Sequence, residues 1–116
     1  RRSTINDEAL EKAAQLLKEQ YQKEWTLDEI ATLIHFNSAY FSSQFKKKFG
    51  IGYSEYLCNA RLEAATKLLV YTQERVCKVA NQVGYSNVTY FIKSFRKKYE
   101  VTPNEYRRFH LNDKKT

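Results

Sequence analysis

The sequence predicts an all-α fold, with two helix-turn-helix subdomains joined by a central linker helix and about seven helices in total. Three observations lead there. Apolar residues recur at helical spacing along most of the chain. Capping signals interrupt them at regular intervals. One segment is written twice, as AYFSSQFKKKFG at residues 39–50 and as TYFIKSFRKKYE at residues 89–100.

Asn6 follows Ile5 and precedes Leu10, which predicts a first helix capped by Asn6 with Ile5 and Leu10 as a hydrophobic staple. Leu10, Ala13, Ala14, Leu17 and Tyr21 then give that helix one buried face. In Trp25-Thr26-Leu27-Asp28-Glu29-Ile30, Thr26 is the N-cap, Glu29 its capping-box partner, and Trp25 with Ile30 the staple. This second helix is short and ends near His35-Phe36-Asn37. Asn37 or Ser38 caps a third, which turns Phe41, Phe45 and Phe49 inward, and Gly50 and Gly52 break it. From Tyr53 to Leu69 runs a longer helix, with Leu57, Ala60 and Ala64 on one side and Leu62, Ala65 and Leu69 on another. A helix apolar over so much of its circumference needs cover on both flanks, so it reads as a strut between two halves. Thr72 is the expected cap of the next short helix, through Val79, Ala80 and Val83 to Gly84. Ser86 or Asn87 caps its successor, which buries Phe91, Phe95 and Tyr99. Thr102-Pro103-Asn104-Glu105 is a further capping box with proline at N1, opening a last helix through Tyr106 and Phe109. The divisions expected are 1–52, 53–70 and 71–110, then a polar tail at 111–116 that frays.

At an offset of fifty the two copies share Tyr40, Phe41, Phe45, Lys47, Lys48, Glu55 and Tyr56 with Tyr90, Phe91, Phe95, Lys97, Lys98, Glu105 and Tyr106. Upstream the offset is forty-nine: Ile30 matches Val79, Ala31 matches Ala80, and Phe36 matches Tyr85. The second copy therefore has one extra residue in its turn. Ala31 and Ala80 are small where two helices must cross closely. Four residues on, Gly84 suits a left-handed turn position, and His35 must tolerate it.

The chain has 116 residues, three Gly, one Pro and no Met, so it reads as a piece of a longer protein. It carries no signal peptide pattern, and no apolar run approaches the roughly 20 residues that span a membrane. Cys58 and Cys77 form neither a disulfide framework nor a zinc spacing with His35 and His110. They read as filler in a reducing cytoplasm. No nucleophile–base pair or Gly-rich phosphate loop appears, so no catalysis, cofactor or metal is expected.

Lys and Arg outnumber Asp and Glu by 20 to 13, a net charge of +7 that favours a polyanionic partner. Its placement is informative. With Phe41 and Phe45 buried, about 100° per residue turns Ala39, Ser42, Ser43 and Lys46 outward. The matching places in the second copy hold Thr89, Ile92, Lys93 and Arg96. The basic runs at 46–48 and 96–98 lie beside both outward stripes, in the same register. A solvated helix face explains one such run. Two in register point to double-stranded DNA.

The segments ARLEAATKLL (60–69), VANQVGYSNVTYFIKSFRKKYEVTPNEYR (79–107) and IATLIHFNSAYFSSQFKKKFG (30–50) resemble the DNA-binding domain of AraC/XylS-type bacterial transcription regulators. The resemblance covers residues 6–110. It implies two recognition helices, about 38–49 and 87–99, entering adjacent major grooves, and a domain that binds as a monomer. It also implies contact with RNA polymerase, and a longer protein that dimerises through a missing segment. The family's glycines at the ends of the second recognition helix and of the short helix in the first unit are here Glu100 and His35, which implies local strain only.

Sorted by chemistry, Lys93 is the best base reader, with Asn87, Thr89 and Ile92 beside it and Ala39, Ser42 and Ser43 in the first unit. Lys46, Lys47, Arg96 and Lys97 are assigned to phosphates, with Thr26 and Thr72 through helix-terminal amides, and Arg61 by resemblance. Rival readings are a helical protein-interaction module and the DNA-targeting part of a multidomain enzyme.

Overall fold

The computed structural model describes the backbone of residues 2–115 and the side chains of residues 5–111. Among these residues there are seven helices and no strand: α1 (Arg2–Glu19), α2 (Leu27–Leu33), α3 (Ser38–Phe49), α4 (Tyr53–Tyr71), α5 (Val76–Gln82), α6 (Val88–Tyr99) and α7 (Pro103–Lys115). The chain divides into two compact units, Arg1–Ala60 and Arg61–Thr116, with the boundary inside α4.

In the first unit α1 packs on α2 and α3. Leu10, Ala13, Ala14, Leu17, Trp25, Ile30, Ala31, Ile34, Phe41, Phe45 and Leu57 form one buried cluster. In the second, Leu62, Ala65, Leu69, Val79, Ala80, Val83, Tyr85, Phe91 and Phe95 are buried. Aligning these lists reveals a repeat that the sequence reading missed. LEKAAQLL at 10–17 and LEAATKLL at 62–69 match at Leu10/Leu62, Glu11/Glu63, Ala13/Ala65, Leu16/Leu68 and Leu17/Leu69. Its offset is fifty-two (62 − 10), because the loops that follow differ in length, and that shift hid it. α4 is therefore two elements in one. Its first half closes the first unit as α7 closes the second, and its second half plays the part of α1. That double duty is why it is apolar on two sides.

The ring contacts repeat as well. Phe45 meets Tyr56 edge-on at 5.4 Å and Phe95 meets Tyr106 edge-on at 5.4 Å. Phe49–Tyr56 and Tyr99–Tyr106 are both 5.6 Å apart. Burial, with Glu63 and Tyr106 adding to it, pushes the Tyr99 phenol up to about 12, so that ring serves as neutral packing.

The turn between the short and long helix closes the same way twice. Phe36 N–H donates to Ala31 O at 2.9 Å, as Tyr85 N–H donates to Ala80 O at 2.9 Å. Inside each closure one residue is left-handed: His35 at φ 61° and Gly84 at φ 107°. Glu100 is the second left-handed residue lacking glycine's freedom, at φ 66°, while its counterpart Gly50 sits at φ 82°.

Several expected boundaries move. α1 begins at Arg2, four residues before Asn6. Asn6 does not cap it: the side-chain amide donates instead to Tyr40 OH at 2.8 Å, and Ile5 is 66% exposed, so no staple forms. The cap of α5 is Arg75 in place of Thr72, whose hydroxyl donates back to Leu68 O at 2.6 Å and so finishes α4. The polar tail is drawn into α7, which continues to Lys115, and Thr116 lies outside the described residues. The capping boxes at Thr26/Glu29 and Thr102/Glu105 form as expected.

Gly50→Ala adds a Cβ into open space, so its cost is the left-handed backbone alone, about 1–2 kcal/mol. Glu100→Gly relieves the same strain against glycine's own entropy cost of about 0.5–1 kcal/mol, leaving a small gain. Urea unfolding should move in opposite directions for the two variants; a shared direction defeats the strain argument.

Glu105 is held below the usual carboxylate range, first by the Thr102 backbone N–H donating to it, then by the Thr102 side chain. A depressed folded-state value means its ionised form contributes stability fully above the ordinary 4.5, and that contribution is lost as pH falls through the lower folded value. The stability gap between the wild type and Glu105→Gln should therefore be flat at neutral pH and close on acidification below 4.5. A gap that widens in acid contradicts this sign.

Candidate nucleic-acid interface

The buried ring ladder fixes which side of each second helix faces out. On α3, Phe41 and Phe45 are fully buried, and Ala39, Ser42, Ser43, Lys46 and Lys47 are all exposed. On α6, Phe91 and Phe95 are buried, and Thr89, Lys93, Arg96 and Lys97 are exposed. Ile92 is half-buried, so only part of its side chain is available. Each unit thus gathers its own set on one outer face: short and polar with lysines following in the first, longer and more cationic in the second.

The N-terminal turns of both helices are set by asparagine. Asn37 Oδ1 accepts from Tyr40 N–H at 2.8 Å, and Asn87 Oδ1 accepts from Tyr90 N–H at 3.0 Å. Asn87 is exposed, but its carbonyl oxygen is committed to the cap, leaving the amide nitrogen as the group it presents outward. Ser38 Oγ donates to the Asp28 carboxylate, tying the start of α3 to α2.

The basic runs do not project as one block. Lys48 reaches back to α1, 3.5 Å from Asp7 and 3.6 Å from Glu11, and is partly covered there. Pairs this exposed contribute about 0–1 kcal/mol, so their main effect is to withdraw one cation from the outer face. Lys46 and Lys47 remain on it.

Thr26 sits exposed at the start of α2 with its hydroxyl oxygen accepting from Glu29 N–H at 3.1 Å. Lys23 bridges to Glu29 at 2.8 Å and lies over the Trp25 ring at 4.3 Å, placing a cation beside that terminus. Thr72 has no such place, because it ends α4. The residue equivalent to Thr26 is Arg75 (26 + 49), which is exposed and caps α5 with its backbone only. The upstream offset of the repeat already pointed to it. Arg61, half-buried on α4, has its guanidinium 5.8 Å from the centroid of the Tyr85 ring, beside the turn of the second unit.

Among the described residues no group of His, Cys, Asp and Glu could hold a metal ion, and Cys58 and Cys77 are not joined in a disulfide. No described helix is long and apolar enough to cross a membrane.

A family model described as a helix-turn-helix domain matches residues 30–108, both turns and α4 included. An uncharacterized HTH-type transcriptional regulator of Bacillus subtilis, YtdP, is 40% identical over 92 residues, 79% of this chain and 12% of that protein. The chain spans well under half the length of the curated relatives it matches. Among solved structures, the C-terminal domain of the response regulator yesN from Fusobacterium nucleatum superposes with TM-score 0.78 at 38% identity, covering 84% of this chain and 95% of that one. The DNA-binding domain of AdpA, solved with a target DNA, shares the fold with TM-score 0.85 at 19% identity over 90% of this chain and 94% of that one.

Proposed function

The chain belongs to the AraC-type helix-turn-helix family of transcription regulators, a DNA-binding family, and we propose that it grips one duplex with α3 and α6 in successive major grooves. The observation that carries this reading is the duplication itself. Two copies of a helix turn equivalent outer faces to solvent, each flanked by basic residues in the same register. Successive grooves repeat at ~34 Å, about 10 bp. α4, 19 residues long, runs unbroken from the first unit into the second. The site is asymmetric, about 20 bp, and bound by a single copy of this domain. Here α4 serves as the linker between a first subdomain and a second.

Within the grooves, Lys93 donates to guanine O6 and N7, Thr89 and the Asn87 amide reach neighbouring base edges, and Ile92 offers a methyl surface to thymine. Ala39, Ser42 and Ser43 are short and discriminate weakly. Lys46, Lys47, Arg96 and Lys97 hold phosphates, joined by Arg61 and by the helix-terminal amides at Thr26 and Arg75. Contact with RNA polymerase, a monomeric domain and a cytoplasmic setting belong to the same reading and rest on family membership.

Selection of bound duplex from a random library, followed by footprinting, tests the two-groove claim: protection over one half-site alone would refute it. On the selected site Lys93→Ala should lower discrimination between bases by about tenfold, within the range of a bidentate pair, and more than Ser43→Ala does. The reverse order refutes the assignment of the second unit as the main reader. Five cationic side chains, each neutralising one phosphate, give a log–log salt slope of roughly −4.5, and a flat titration would remove the electrostatic part.

A further inference from the structure

The seven identities of the repeat have unequal reasons to exist. Phe41/Phe91 and Phe45/Phe95 are buried, and Tyr56/Tyr106 pack edge-on against them. Lys48 is turned to Asp7 and Glu11, and Glu105 closes a capping box. Lys98 and Glu55, their counterparts, are exposed, so Tyr40/Tyr90 and Lys47/Lys97 are the two identical pairs exposed in both copies. In the stripe between them nothing is identical: Ala39, Ser42, Ser43 and Lys46 face Thr89, Ile92, Lys93 and Arg96 across the repeat.

Each tyrosine is also held in place. Tyr40 lies 42% exposed with its ring 5.1 Å from Phe36, and Tyr90 lies 57% exposed with its ring 5.9 Å from Tyr85. The turn aromatic lies tilted against each phenol ring, at 49° in the first copy and 55° in the second, and closes off one side of it. Tyr40 OH also accepts from Asn6 Nδ2 at 2.8 Å, which leaves its own proton to donate. Seven residues on a helix return to within about 20° of the same side, about 10 Å further along, so Tyr40 and Lys47 share one flank and reach different groups.

We infer that Tyr40 and Tyr90, each paired with Lys47 or Lys97 on the same flank, are duplicated phosphate clamps that seat both helices identically whatever sequence lies beneath. This rests on the DNA-binding reading above and adds to it two contact residues and a division of labour. An identical flank suits the sugar–phosphate backbone, which is alike at every site, and a divergent stripe suits two different half-sites.

The test is Tyr40→Phe, Tyr90→Phe and the double variant, titrated against the selected site and against random duplex at several salt concentrations. Loss of one hydroxyl bonded to a charged phosphate should weaken both duplexes by about tenfold per tyrosine. The preference for the selected site should be unchanged, and so should the salt slope, since no charge is removed. Lys47→Ala, by contrast, should reduce the slope by about one. Affinities within twofold of the wild type overturn the clamp, and so does a loss confined to the selected site, which would make the tyrosines base readers. A wild-type chain that fails to retard either duplex overturns the DNA-binding reading itself.

Discussion

Edge-on packing of Phe45 on Tyr56, and of Phe95 on Tyr106, is the contact that orients everything else. Each pair locks the rotation of a second helix about its own axis by burying one side of it against the helix that follows. Once that rotation is fixed, the outer face follows from the helical repeat without further instruction. Aromatic pairs of this kind contribute about 0.5–1.5 kcal/mol beyond the area they bury, and their larger consequence here is geometric. A helix free to roll by 100° would present Phe in place of Ser or Lys.

The same contact explains why the basic runs follow the rings so closely. Residues 46–48 and 96–98 come just after Phe45 and Phe95, so the rings that anchor the helix also aim its cations. Yet aim is not uniform within a run. Lys48 falls on the side that faces α1, where Asp7 and Glu11 receive it, and Lys46 and Lys47 stay outward. A count of positive charges overstates the charge that an external polyanion would meet.

The two units are variations on one plan, and their differences sit where the backbone has latitude. His35 stands where Gly84 does and Glu100 where Gly50 does, all four left-handed. Two positions thus accept a Cβ penalty of about 1–2 kcal/mol because the flanking hydrogen bonds and buried rings leave the chain no other course. α4 shows the opposite economy, serving as the last helix of one unit and the first of the next, with Leu57 buried in the former and Leu62, Ala65 and Leu69 in the latter.

By itself the sequence determined the helices, the two turns, the buried rings and the exposed stripes, because each rests on local periodicity or on a repeat whose copies align. Thr26 and Thr102 were legible as caps, and Asn37 and Asn87 each as one of two neighbouring candidates, since capping depends on the three or four residues that follow. Tertiary structure decided what depends on distant partners. Asn6 could not be known to prefer Tyr40 OH, thirty-four positions away, over capping its own helix (40 − 6). Thr72 looked like a cap until α4 proved long enough to claim its hydroxyl, which moved the cap to Arg75. The repeat of α1 within α4 stayed hidden because loops of unequal length broke the register, and only shared burial brought the two segments back into alignment.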